Sequence, residues 1–176
     1  MVIVEQIKEK LPKWPDKVIE EWLLYFANDV GWPPKEPLGT NRWGSILGNR
    51  PLSWWADVEW KQEKLDCSRA QLSGATQQRI AAVSGPIYAN TASDVEKGQY
   101  RRPFQYVLDN GAFANPALAM RDGCRLHFID GHHRLAALTD LRAKAPDALF
   151  AKQGRPRPSA EQTVWIGTHA KGELPS

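Results

Sequence analysis

The sequence predicts an α+β chain: a small sheet with helices packed on it, preceded by a tryptophan-rich, mainly helical extension. Three observations carry this expectation. Arg125 to Ile129 alternates towards an apolar strand, the pattern breaks at Asp130-Gly131, and Leu135, Ala136, Leu138 and Leu141 then recur at helical spacing. A second strand, Pro116 to Arg121, reaches the first through Asp122-Gly123, a strong hairpin signal, and Thr163 to Gly167 reads as a last strand. Ahead of these, Val18, Ile19, Trp22, Leu23 and Phe26 share one helical face, and most of the eight tryptophans lie in the first 60 residues.

The 176 residues suggest one domain with an appended segment, and a hydrophobic content of 42% with 10% aromatics is enough for a real core. A formal charge of +3 permits nucleic-acid contact without demanding it. Two cysteines, Cys67 and Cys124, do not make a disulfide framework. No apolar run approaches membrane-span length, and Met1-Val2-Ile3-Val4-Glu5 lacks the pattern of a signal peptide. A cytoplasmic location with no membrane partner is the default expectation.

Taken in order, residues 2 to 11 read as a short helix or an N-terminal arm, and Pro15 opens the amphipathic helix that runs to about Asn28. Gly31 to Leu52 is loop-like, with Trp32 and Trp43 set among prolines and glycines. Asn41-Arg42-Trp43 could stack on a base, or the indoles could pin the loop to the body. Trp54 to Trp60 is helix or aromatic strand, and Cys67 to Val83 reads as helix, with Ser68 or Ser73 as cap. Gln71 to Arg79 faintly resembles the turn of a helix-turn-helix, but Gly85-Pro86 arrives too soon for its second helix. Pro86 to Ala89 reads as a short strand. Phe104, Val107 and Leu108 suggest a short helix stopped by Asn110-Gly111. The helix after Asp130 runs to about Ala145, where Pro146 breaks it, and Gln153 to Ser159 is a basic, proline-rich loop.

The corner itself carries the functional expectation. Asp130 is a candidate N-cap, whose carboxylate would accept bonds from amides of the first turn. Gly131 allows a tight turn and close backbone approach by a ligand. His132, His133 and Arg134 stand in the first helical turn, where the macrodipole favours acids. Free amides, the positive helix end and a guanidinium would converge and suit a phosphate or carboxylate. The plain alternative is a strand-to-helix turn whose polar residues only cap and solvate. The histidine spacing lacks the i, i+4 pair of a zinc helix, so no zinc is expected. Imidazoles here could instead adjust charge near neutral pH.

The run Asp130-Gly131-His132-His133-Arg134-Leu135-Ala136-Ala137, after the strand pair, resembles the ParB/sulfiredoxin superfamily, which includes ParB-like nuclease domains of phages, plasmids and bacterial chromosomes. The resemblance covers roughly residues 84–168, leaving a tryptophan-rich segment over 1–83 and a tail over 169–176. It implies a small mixed sheet with packed helices and nucleotide-phosphate binding at this corner, through Gly131, His132, His133 and Arg134. Partition proteins of this kind bind and hydrolyse CTP there, a free-serine kinase uses ADP, and sulfiredoxin uses ATP. Asp130 matches the acid that opens the kinase-type motif, which implies a base or a Mg²⁺ ligand. Asp130 and His132 are thus the candidate catalytic positions. His132 stands where sulfiredoxin carries its reactive cysteine and partition proteins an acid needed for turnover. Sulfinic-acid reduction is therefore not expected, nor is a complete partition protein, since no DNA-reading or dimerisation domain follows the matched region.

Three functions follow from the resemblance and the residues. The first is a nucleotide-binding protein, holding a nucleoside di- or triphosphate with Mg²⁺, as phosphotransferase or nucleotide hydrolase. The second is a DNA-binding or nuclease-like accessory protein. Arg121, Arg125, Arg134, Arg142, Lys144, Lys152, Arg155 and Arg157 stand against only Asp122, Asp130, Asp140 and Asp147 between 121 and 159. The third is an interaction factor without turnover, presenting its tryptophan-rich N-terminal half to a protein partner.

Overall fold

A computed structural model describes residues 1–36, 38–39, 41–84 and 93–175 of the chain. Four strands, β1 (Val58–Asp66), β2 (Ala117–Asp122), β3 (Arg125–Asp130) and β4 (Glu161–His169), form one sheet in the order β1-β4-β2-β3. The architecture is α+β, with helices packed on a mixed sheet. Chain contacts divide into two units, one of residues 1–61 with 167–176 and one of residues 62–166. The second unit begins just after Trp60, the last tryptophan of the N-terminal group, and so ahead of the expected boundary at residue 83.

Burial in the second unit explains its strand sequences. β2 lies between β4 and β3, so Ala117, Leu118, Ala119 and Met120 are all buried and the strand reads as a continuous apolar run. β3 is at the edge, and its burial alternates through Leu126 and Phe128. The two pair antiparallel from Asp122↔Arg125 to Leu118↔Asp130, joined by Gly123-Cys124 with Gly123 at φ 59°. A bulge between Leu118 and Ala119 shifts the register just before Asp130, where the strand must turn. The outer edge of β3 is satisfied by the N-terminal end of helix α6 (Gly74–Val83). The Ser73 amide donates to the Leu126 carbonyl at 2.8 Å and the Phe128 amide to Thr76 Oγ1 at 2.9 Å.

Helices α7 (Asp94–Asn110), α8 (His132–Ala143) and α9 (Asp147–Gln153) complete this unit, and α8 packs against both α6 and α7. Leu135, Ala136, Leu138 and Leu141 of α8 join Phe128, Ile80, Val107 and Ile166 in one core.

The first unit contains the short helices α1 (Val4–Lys8), α2 (Asp16–Val18), α3 (Leu24–Val30), α4 (Arg42–Ile46) and α5 (Leu52–Trp55), with a π-helical turn over Ile19–Leu23. Its centre is a cluster of indoles. Trp14 stacks on Trp22 at 5.7 Å and meets Trp55 and Trp60 edge-on at 5.8 and 5.3 Å. Two of their polar ends are matched, Trp14 Nε1 donating to the Trp55 carbonyl at 2.8 Å and Trp55 Nε1 to that of Leu47 at 3.1 Å, while Trp60 Nε1 is buried without a hydrogen-bond partner. Trp43 is buried and donates to the Gly31 carbonyl at 3.0 Å, so this indole pins the loop and is not offered to a base. No helix among the described residues is long and apolar enough to cross a membrane.

Several elements differ from the sequence expectation. The ambiguous Trp54–Trp60 stretch divides: α5 ends at Trp55, and the charged residues after Trp60 belong to β1, where exposed positions alternate with partly or fully buried ones. Helix over Cys67–Val83 is confined to Gly74–Val83, capped by Ser73, because the Cys67 amide still bonds to the Ala160 carbonyl at 2.9 Å. A 3-10 turn spans Arg69–Gln71. The short helix around Phe104 is instead one helix from Asp94 through Pro103 to Asn110, since packing of Tyr100, Phe104, Val107 and Leu108 on the core outweighs the proline. The helix after the corner does stop ahead of Pro146, at Ala143, but Pro146 is also the N-cap of a helix the sequence reading did not expect, α9, which buries Phe150. The loop over Gly31–Leu52 contains α4, capped by the Asn41 side chain. The strand expected at Pro86–Ala89 lies outside the described residues.

Candidate functional site

The β3–α8 corner is built around Gly131. Its φ of +92° suits glycine, and a Cβ there would lie 2.5 Å from the Ala117 Cβ and 3.1 Å from both Nε and NH2 of Arg134. The N-cap of α8 is therefore Gly131, not Asp130, and it caps through its carbonyl, which accepts from the Leu135 amide at 2.9 Å. The Asp130 carboxylate is drawn elsewhere. Its Oδ2 accepts from Arg134 NH2 at 2.6 Å, while Arg134 NH1 donates to the Asn115 carbonyl at 2.8 Å. With 32% and 18% of their side chains exposed, the two charges form a partly shielded ion pair, held across the glycine by the i, i+4 spacing.

His132 turns to a different set of neighbours. Burial, with the Arg79 charge nearby, pushes its imidazole down to about 4, and Nε2 is buried without a hydrogen-bond partner. His127 on β3 is likewise lowered by burial and by Arg79, and its Nδ1 lies 3.3 Å from Ser73 Oγ. His133 is half-buried and engaged by its surroundings. The clash between a cationic first turn and the helix dipole, argued from sequence, is thus removed internally. His132 is neutral at pH 7 and Arg134 has its carboxylate. Asp130, Gly131 and Arg134 form one cluster, whereas His132 faces the Phe128 backbone and Arg79.

A cleft of about 240 Å³ opens beside this cluster. Arg134 lines it from α8, Arg102 and Tyr106 from α7, and Ala114 and Asn115 from the connection into β2. Arg102 and Tyr106 are both exposed and stand four residues apart, on one face of α7. Two guanidiniums and a phenol hydroxyl can hold an anion, and the phenol ring can lay a flat group beside it. The sequence reading missed Arg102 and Tyr106. The signal was their i, i+4 spacing, hidden because the short helix expected around Phe104, Val107 and Leu108 left Arg102 outside it.

The cations between residues 121 and 159 are largely committed to the fold. Arg157 caps the end of α8, donating to the carbonyls of Leu141, Arg142 and Ala145 at 2.7 to 2.9 Å and to Asp147 at 2.5 Å, and it lies over the Phe150 ring. Arg142 donates to the Pro158 carbonyl, Arg121 pairs with Glu63 at 2.7 Å and Lys144 with Asp140 at 2.7 Å. Among the described residues no group of three or more His, Cys, Asp or Glu side chains could hold a metal ion. No family model matches the chain, and neither the curated proteins nor the solved structures contain a match.

Proposed function

We propose that the chain binds a nucleotide, a nucleoside di- or triphosphate, with its phosphates in the cleft between Arg102 and Arg134. The observation that supports this is that two guanidiniums from separate helices, Arg102 and Arg134, line one cleft beside the corner. Arg134 presents a planar donor fork, already oriented by Asp130 and Asn115, and a phosphate oxygen competes with the carboxylate for it. Arg102, exposed and without a carboxylate partner among the described residues, supplies the second charge. Tyr106 offers a ring on which a base can stack. Asp130 is the carboxylate that would face an accompanying Mg²⁺. The DNA reading has less support, because Arg157, Arg121 and Lys144 are engaged within the protein.

Calorimetry of the full chain against ATP, ADP, CTP and GTP with Mg²⁺ tests the proposal. Saturable heat with at least one nucleotide is expected. Loss of one charge-assisted contact in Arg102→Gln should weaken it by about tenfold or more. No heat with any of the four, or unchanged affinity in Arg102→Gln and Arg134→Gln, removes the proposal.

A further inference from the structure

A second cavity, of about 480 Å³, lies in the second unit against the C-terminal half of α8 and shares no lining residue with the corner cleft. Helix rise alone puts Leu138 about 9 Å further along α8 than His132. Cys67, Ile80, Leu138 and Ala143 supply its apolar wall, and the first three are buried. Arg69, Arg142 and Lys144 line it as well, against the single carboxylate of Asp140. That carboxylate is already engaged. Its Oδ2 accepts from the Tyr100 hydroxyl at 2.6 Å and its Oδ1 lies 2.7 Å from Lys144 Nζ.

The two guanidiniums have no carboxylate partner among the described residues. Arg142 uses NH1 on the Pro158 carbonyl at 2.5 Å. Arg69 Nε lies 3.4 Å from Gln77 Oε1, a weak contact at that distance. Arg142 and Lys144 also complement the carbonyl end of α8, but Arg69 comes from the 3-10 turn and has no such duty. The Cys67 thiol is pushed up to about 12 by burial, so it is not a thiolate at neutral pH. What remains is an apolar recess of ligand size with net positive charge in its wall.

We propose that this cavity binds a small organic anion with an apolar body, its acidic head against Arg69 and Arg142 and its body on Ile80, Leu138 and Ala143. The inference stands apart from nucleotide binding at the corner. Amide-resolved NMR titration of the full chain tests it, with naphthalenesulfonate as probe and naphthalenemethanol as its neutral counterpart. A fragment of this size is expected to saturate in about the millimolar range. Shifts should concentrate at Ile80, Leu138 and Thr139. Arg69→Gln, at an exposed site, should weaken the sulfonate by about tenfold and leave the alcohol unchanged. The proposal is overturned if no saturable shift appears, if both probes bind alike, if the shifts centre on Arg102 and Arg134, or if Arg69→Gln binds as the parent does.

Discussion

Replacing Gly131 by alanine tests the construction of the corner. The new Cβ would meet the Ala117 Cβ at 2.5 Å, and Ala117 is fully buried in a central strand, so neither side can withdraw cheaply. Holding an L-residue at φ +92° adds backbone strain. The contacts to Arg134 at 3.1 Å involve the far end of a flexible side chain and can relax. Strain and overpacking together come to roughly 2–5 kcal/mol. The partner change Ala117→Gly removes one of the two colliding carbons, at a cost of about 0.5–1 kcal/mol for glycine within a strand. In the double variant it should return about 1–3 kcal/mol of the loss. Urea unfolding followed by far-ultraviolet circular dichroism gives all four corners of the cycle, provided the slope stays constant. A Gly131→Ala protein within about 0.5 kcal/mol of the parent would refute the reasoning. So would a cycle with no coupling, since the collision would then not be the cause.

Three further outcomes follow from the same contacts. His132 is held at about 4 in the folded chain against 6.5 when free, so the unfolded chain takes up the proton first. Stability should be full above about pH 6.5 and fall by up to roughly 3 kcal/mol as pH drops towards 4, and His132→Gln should flatten that fall in denaturant titrations. Arg157→Ala leaves the end of α8 without its donor fork and should lower stability by about 1–3 kcal/mol, with Arg157→Lys recovering only part; an unchanged melting temperature would show the contacts to be idle. Tyr100→Phe strips a 2.6 Å bond from the buried Asp140 and should cost about 1–2 kcal/mol, which chemical denaturation can resolve.

The parts of the fold that were legible in the sequence are those in which local pattern and tertiary burial agree. The β2–β3 hairpin, the corner after Ile129 and the apolar stripe of α8 have alternation, a turn glycine and helical spacing that all point one way. The misread elements are those in which a local signal was overruled by packing. The charged residues of β1 look solvated but occupy the exposed positions of a strand. Pro103 looks like a stop, yet the aromatic and aliphatic face of α7 holds the helix together across it. At the corner the residue types were visible and their partners only in part. The i, i+4 spacing of Asp130 and Arg134 was there to read, but nothing local says that His132 packs near Arg79. Such choices depend on where β2 and α6 lie, and those placements are set by contacts distant in sequence.

The first unit has a consequence for how the protein is made. Trp54 Nε1 donates to Glu173, and Arg50, which lies over the Trp54 ring, donates to the Leu174 carbonyl 124 positions downstream. At ordinary translation speeds those partners leave the ribosome roughly 6 to 25 seconds after the residues that await them. Throughout that interval the Trp54 indole lacks its final cover. A chaperone that shields aromatic surface during that interval would therefore raise the yield of this protein more than one acting after Glu173 and Leu174 have emerged.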